Sequence, residues 1–179
     1  ILTRNLDRIY KGDRYRGGGV ERVERHKIDY SFLEISKANL EIIQDRPDLR
    51  WLSLSGTNVK DEDLVYLRSL SKLEWLSLMG TDITDEGLAH LAGLSRLREL
   101  YLTQTKISDI GIETISNLSG LKRLYLDKTS VTDKSTKALA LLKDLSVLDL
   151  HKTNVSEEGL STLRTSMPSC KIFPLVRSD

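Results

Sequence analysis

Leucine recurs along this chain at a fixed interval of 24 residues. Counted from Leu49, the first position of five successive units holds Leu49, Leu73, Leu97, Leu121 and Leu145. The fourth holds Leu52, Leu76, Leu100, Leu124 and Leu148, and the sixth Leu54, Leu78, Leu102, Leu126 and Leu150. Positions eleven, sixteen, nineteen and twenty-two are also apolar, and only Thr136 and Ser166 break the rule. Apolar residues at four and six, with polar or aromatic ones at three, five and seven, alternate with the period of a β-strand. Apolar residues at sixteen, nineteen and twenty-two have the spacing of a short helix. Each unit therefore predicts one strand and one short helix.

The positions between these two elements support that reading. Ser or Thr at position twelve (Thr84, Ser108, Thr132, Ser156) precedes an acid at thirteen (Asp85, Asp109, Asp133, Glu157). A hydroxyl there can cap the orphan amides of a helix start, and the carboxylate meets the positive end of its dipole. Thr57, Thr81, Thr105, Thr129 and Thr153 fill position nine without exception. Just past the strand, such a hydroxyl can bond backbone groups that the turning chain leaves unpaired. Gly87, Gly111 and Gly159 at position fifteen permit close packing of one coil on the next. One unit cannot bury its own leucines, but a stack of units makes a continuous core. Strands stack about 4.8 Å apart and helices are wider, so the stack curves with its parallel sheet inside.

The pattern LxxLxLxxTxITDxGLxxLxxL resembles the bacterial leucine-rich repeats related to the cysteine-containing and ribonuclease-inhibitor-like subfamilies. Its clearest copy is LEWLSLMGTDITDEGLAHLAGLSR, Leu73 to Arg96, and the resemblance covers roughly residues 28–173. Thr replaces the commoner Asn at position nine, and the units are shorter than those of the ribonuclease-inhibitor class. The resemblance implies an α/β fold, a right-handed leucine-rich-repeat solenoid forming a horseshoe segment. It also implies a scaffold that recognises other proteins on the concave sheet, with short helices on the convex face.

Solenoids close their ends with atypical units. Residues 25–48 read as a degenerate capping repeat, in which Ile28 and Tyr30 take the strand positions and Ile35, Leu40 and Ile43 the later ones. Units 49–167 follow, and residues 168–179 read as a C-terminal cap, with Pro168 stopping the last helix and Cys170, Ile172 and Phe173 forming a lid. Residues 1–24 differ: Leu2, Leu6 and Ile9 recur at helical spacing, and the glycines of YRGGGV make a joint rather than a phosphate loop. Residues 1–27 carry 8 Lys/Arg against 4 Asp/Glu, within a chain that holds 27 against 26. This basic arm either packs on the first repeat or docks an acidic partner or anionic surface.

Composition narrows the function classes. A net charge of +1 argues against a dedicated nucleic-acid binder. One cysteine, Cys170, admits neither an internal disulfide nor a thiolate metal cluster. It reads as a small buried hydrophobe. No run of about 18 apolar residues spans a bilayer. A start at Ile1 rather than Met leaves room for an upstream leader or anchor. The location is thus cytoplasmic by default, and secreted or periplasmic if a leader was removed.

Positions three, five and seven build the concave face. They carry Trp51, Trp75, Met79, Glu99, Tyr101, Arg123, Tyr125, Asp127, Asp149 and His151, the candidate partner-binding residues. Stacking sets Trp51 beside Trp75 and Tyr101 beside Tyr125. Trp and Tyr anchor interfaces because they bury much area with little rotamer loss. Two readings stand for the tryptophans: a site for a protein partner, or a surface that the N-terminal arm covers. Asp127 and His151 share a column, but a metal site needs three converging ligands, with Asp149 the only further donor. His26, His90 and His151 are scattered and no Ser sits in a nucleophile elbow, so neither catalytic residues nor a cofactor are expected. The expectation is a monomeric, non-enzymatic interaction module, with an accessory domain of a larger protein or assembly as the alternative.

Overall fold

The computed structural model describes residues 26–174; the basic helix and glycine joint expected over residues 1–24 lie outside them. Seven short strands form one parallel sheet in chain order, β1 (Lys27–Asp29), β2 (Trp51–Ser53), β3 (Trp75–Ser77), β4 (Glu99–Tyr101), β5 (Arg123–Tyr125), β6 (Val147–Asp149) and β7 (Lys171–Phe173). The register is constant: Leu52, Leu76, Leu100, Leu124 and Leu148 pair rung on rung, closed by Ile28 and Ile172. Every rung thus points its position-four side chain inward. The leucines at one, four and six are fully or almost fully buried in a single core. Burying each such side chain contributes about 1.5–3 kcal/mol.

On the other side of the core run α1 (Lys37–Gln44), α2 (Asp85–Leu88), α3 (Asp109–Ile115), α4 (Thr136–Leu139) and α5 (Glu157–Ser166). The expected helices are partly replaced by the tighter 3₁₀ form, over Asp61–Leu67, Ala89–Leu91 and Asp133–Ser135. In the first unit position twelve is Lys60, without a capping hydroxyl, and its backbone N–H is held by Asp63 Oδ2 at 2.9 Å instead. In the other four units the position-twelve hydroxyl does cap. Thr84, Ser108, Thr132 and Ser156 accept from backbone N–H groups two or three residues on.

The two exceptions to the apolar pattern have physical answers. At Thr136 the inner place is taken by Ser135, which is fully buried and donates to Asp109 Oδ1. Ser166 is the last residue of its helix, and the residue that caps it, Met167, is buried in its stead. The threonines at position nine form a ladder: each Oγ1 donates to the backbone carbonyl three residues earlier, at 2.6–2.7 Å, from Thr57 to Thr153.

Position thirteen joins neighbouring coils, beyond its place at the helix start. Asp61, Asp85, Asp109 and Asp133 each accept both the backbone N–H and the hydroxyl of the position-twelve residue one coil later. A Cβ added at Gly87, Gly111 or Gly159 would run into that same carboxylate, which is why position fifteen is glycine in these three coils. Around Asp109, burial raises the carboxyl pKa. Hydrogen bonds from Ser135 and Thr132, with the Lys134 charge, outweigh it and hold the carboxyl below its ordinary value.

Candidate functional site

None of the ten sequence-derived residues is buried, strand alternation sets them opposite the leucines, and four of their rings form one continuous row. Trp51 and Trp75 stack with centroids 4.2 Å apart and planes 12° from parallel. Tyr101 and Tyr125 stack at 4.3 Å and 10°. Between the pairs, Trp75 meets Tyr101 at 4.9 Å, tilted by 43°. Tyr101 pairs with Ser77, not with Trp75, so the Trp75 ring leans across Ser77 to reach it. Position three thereby hands the row over to position five.

Small residues make this crossing possible. Ser53, Ser55 and Ser77 face the concave side and are nevertheless buried. Their hydroxyls form a chain with Ser31, at 2.7 Å (Ser31–Ser53), 3.1 Å (Ser53–Ser55) and 2.6 Å (Ser55–Ser77). Ser31 Oγ donates to Asp29 Oδ1 at 2.7 Å. A hydroxyl has one proton, so each serine in turn donates toward Asp29. This polar floor is fully satisfied, as burial requires.

Ring faces are largely consumed within the row. The two stacked pairs occupy each other's faces, and Lys27 Nζ lies 4.3 Å from the Trp51 ring centre. What remains for a visitor is mainly ring edge, the electropositive part of an aromatic quadrupole. Burial and the neighbouring Tyr125 push the Tyr101 hydroxyl up to about 12, with Glu99 adding to the rise and Trp75 opposing it. Its hydroxyl donates to Glu99 Oε2 at 3.2 Å, and Arg123 pairs with the other Glu99 oxygen.

Towards β7 the face becomes polar. Asp149 Oδ1 accepts from the His151 backbone at 3.0 Å and lies 2.6 Å from His151 Nδ1. Asp127, which shares a column with His151, makes no hydrogen bond to either residue among the described ones. Nor does any group of three or more His, Cys, Asp or Glu there converge as metal ligands. Cys170 is half-buried against the core, and burial pushes its thiol up to about 11, opposite to what a nucleophile requires. The expected lid divides: Ile172 enters the core, but Phe173 takes position five beside Asp149 and stacks on His151 at 5.9 Å. Alternation within β7 sends the two neighbours to opposite faces. Lys27, Asp29, Lys171 and Phe173 are concave-face residues that the sequence reading left out. Extending the 24-residue frame by one unit at each end places all four in columns three and five.

Two family models match the repeats, both described as leucine-rich repeat, over residues 95–155 and 69–92. These segments are leucine-rich repeats, and the fold is an α/β leucine-rich-repeat solenoid. Solved structures of similar fold include an internalin (inlF) from Listeria monocytogenes, with TM-score 0.58 and 19% identity over 82% of this chain and 46% of that one. Internalin C2 from the same organism has TM-score 0.56 and 24% identity, over 82% of this chain and 70% of that one. The chain thus spans less than half of the first internalin. No curated protein matches it in sequence. Among the described residues, no helix of this solenoid is long and apolar enough to cross a membrane.

Proposed function

We propose that the chain is a non-enzymatic interaction module that captures a protein partner on its concave sheet, chiefly through the aromatic half. The observation that carries the reading is the ring row from Trp51 to Tyr125. Both tryptophans of the chain stand outside the leucine core, held in place by stacking and by a satisfied serine floor. Pre-ordered aromatic groups lose little entropy on binding, which is why Trp and Tyr dominate interface energetics. The leucine-rich-repeat family and the fold shared with internalins support a scaffold rather than an enzyme.

The test is quantitative. Trp75→Ala should weaken partner binding by roughly 2 kcal/mol or more, read by calorimetry on a partner first captured by the wild type. Trp51→Ala/Trp75→Ala should abolish that capture while circular dichroism stays that of a folded solenoid. Unchanged affinity in both variants overturns the proposal.

A further inference from the structure

Position eight forms the rim where the chain leaves each strand: Phe32, Gly56, Gly80, Gln104, Lys128 and Lys152. All six have positive φ, between 54° and 66°. Glycine enters this left-handed region freely, whereas other residues do so at a steric penalty. Only two of the six are glycine. Lys128 and Lys152 also place like charges on adjacent rungs, about 4.8 Å apart along the sheet. Neither forms an ion pair among the described residues. Two unfavourable choices coincide at each lysine, and no described residue pairs with either charge.

The other end of the rim is apolar and open. A Cβ at Gly80 would meet only the Gly56 backbone, at 3.9 Å. The Phe32 ring folds over Gly56 and is still 77% exposed, and Met79 beside the step is 37% exposed. This makes a bare backbone step with an apolar wall, two and three rungs from the lysines. Those rungs span about 10–14 Å; in an extended peptide at about 3.3 Å per residue, side chains two and four residues along share one side at about 7 and 13 Å, within reach of two long lysine side chains.

We propose that this rim selects an extended acidic segment of the protein partner, with an apolar side chain on the Gly80 step and, two and four residues along on the same side of the segment, carboxylates on Lys128 and Lys152. The inference rests on the docking role of the concave face. A continuous polyanion fits less well, because it would lay phosphates over Gly56, Gly80 and Gln104, where the rim carries no cation.

Glycine is compatible with the rim backbone, so Lys128→Gly/Lys152→Gly removes both charges without strain. The probe is a synthetic peptide in which a leucine is followed by serine, glutamate, serine and glutamate, added to the full chain. Intrinsic fluorescence reports its arrival, since both tryptophans lie on this face. Wild type should bind it, less tightly as salt rises, and the double glycine variant about tenfold more weakly at an unchanged or higher melting temperature. Equal affinity in the two proteins overturns the inference, as does a lower melting temperature of the variant, which would make the lysines structural. So does absence of peptide binding, or preferential binding of phosphatidylserine vesicles or single-stranded DNA. The docking face itself falls only if Trp75→Ala leaves partner capture unchanged, so the two failures are separable.

Discussion

One missing methyl group decides how closely two coils approach at position fifteen. At Gly111 an added Cβ would collide with Asp85 Oδ1 and press on Ile107 and Leu88 at 3.0 Å. Asp85 cannot yield without releasing the Ser108 amide and hydroxyl. Gly111→Ala should therefore destabilise the fold by about 1–3 kcal/mol in urea titration. Gly93→Ala, where nothing lies within 4 Å of the new methyl, should be neutral or stabilising by up to about 1 kcal/mol. Equal effects of the two would show that coil spacing is set elsewhere. Asp109 yields a second prediction, on pH. Its folded carboxyl lies below the ordinary value, so its contribution is whole above the unfolded pKa of about 3.9 and vanishes as pH falls on through the lower folded value. Asp109→Asn presents an amide where three donors converge, and should cost roughly 2 kcal/mol at neutral pH. It should also flatten the acid limb of a stability-against-pH curve. A limb of unchanged steepness would locate acid sensitivity in other carboxylates.

At the scale of the element, strand and outer segment differ in how directly local sequence sets them. Each strand is only three residues long, and its register is pinned on both sides by leucines that must face inward. The outer segments respond to their caps and to coil width. They alternate between 3₁₀ and α forms although the apolar spacing is nearly constant. Position nine is the joint between the two regimes. In Thr105→Val the shape survives, but the Leu102 carbonyl loses its buried donor. The expected loss is about 1 kcal/mol by thermal denaturation, with no change in the far-ultraviolet spectrum. An unaffected melting temperature would mean that the threonine ladder is not a stabilising device.

For the whole molecule, stability follows from stacking, because each coil touches only its neighbours. Leu100 lies in the middle rung and Ile172 in the last, both buried in the same core. Leu100→Ala should cost about 2–5 kcal/mol and lower hydrogen-exchange protection along the entire sheet. Ile172→Ala should lower it mainly in β6 and β7, since an end coil can open alone. Uniform loss of protection in Ile172→Ala would contradict nearest-neighbour cooperativity.

The solenoid and its concave candidates were legible in the sequence because both depend on period. Leucine at fixed intervals dictates which side chains turn inward, and alternation then assigns Trp51, Trp75, Tyr101 and Tyr125 to the opposite surface whatever their neighbours. Relations between coils were decided only in three dimensions. The crossing of Trp75 to Tyr101, the Ser31–Ser53 and Ser55–Ser77 links of the serine chain, and the Asp109 clamp on Thr132 and Ser135 each join residues 22 or more positions apart. No local preference encodes such contacts, since they exist only when stacking brings successive coils together. The positive φ at Lys128 and Lys152 is likewise imposed by the coil, because a lysine left to its own backbone preferences would avoid that region.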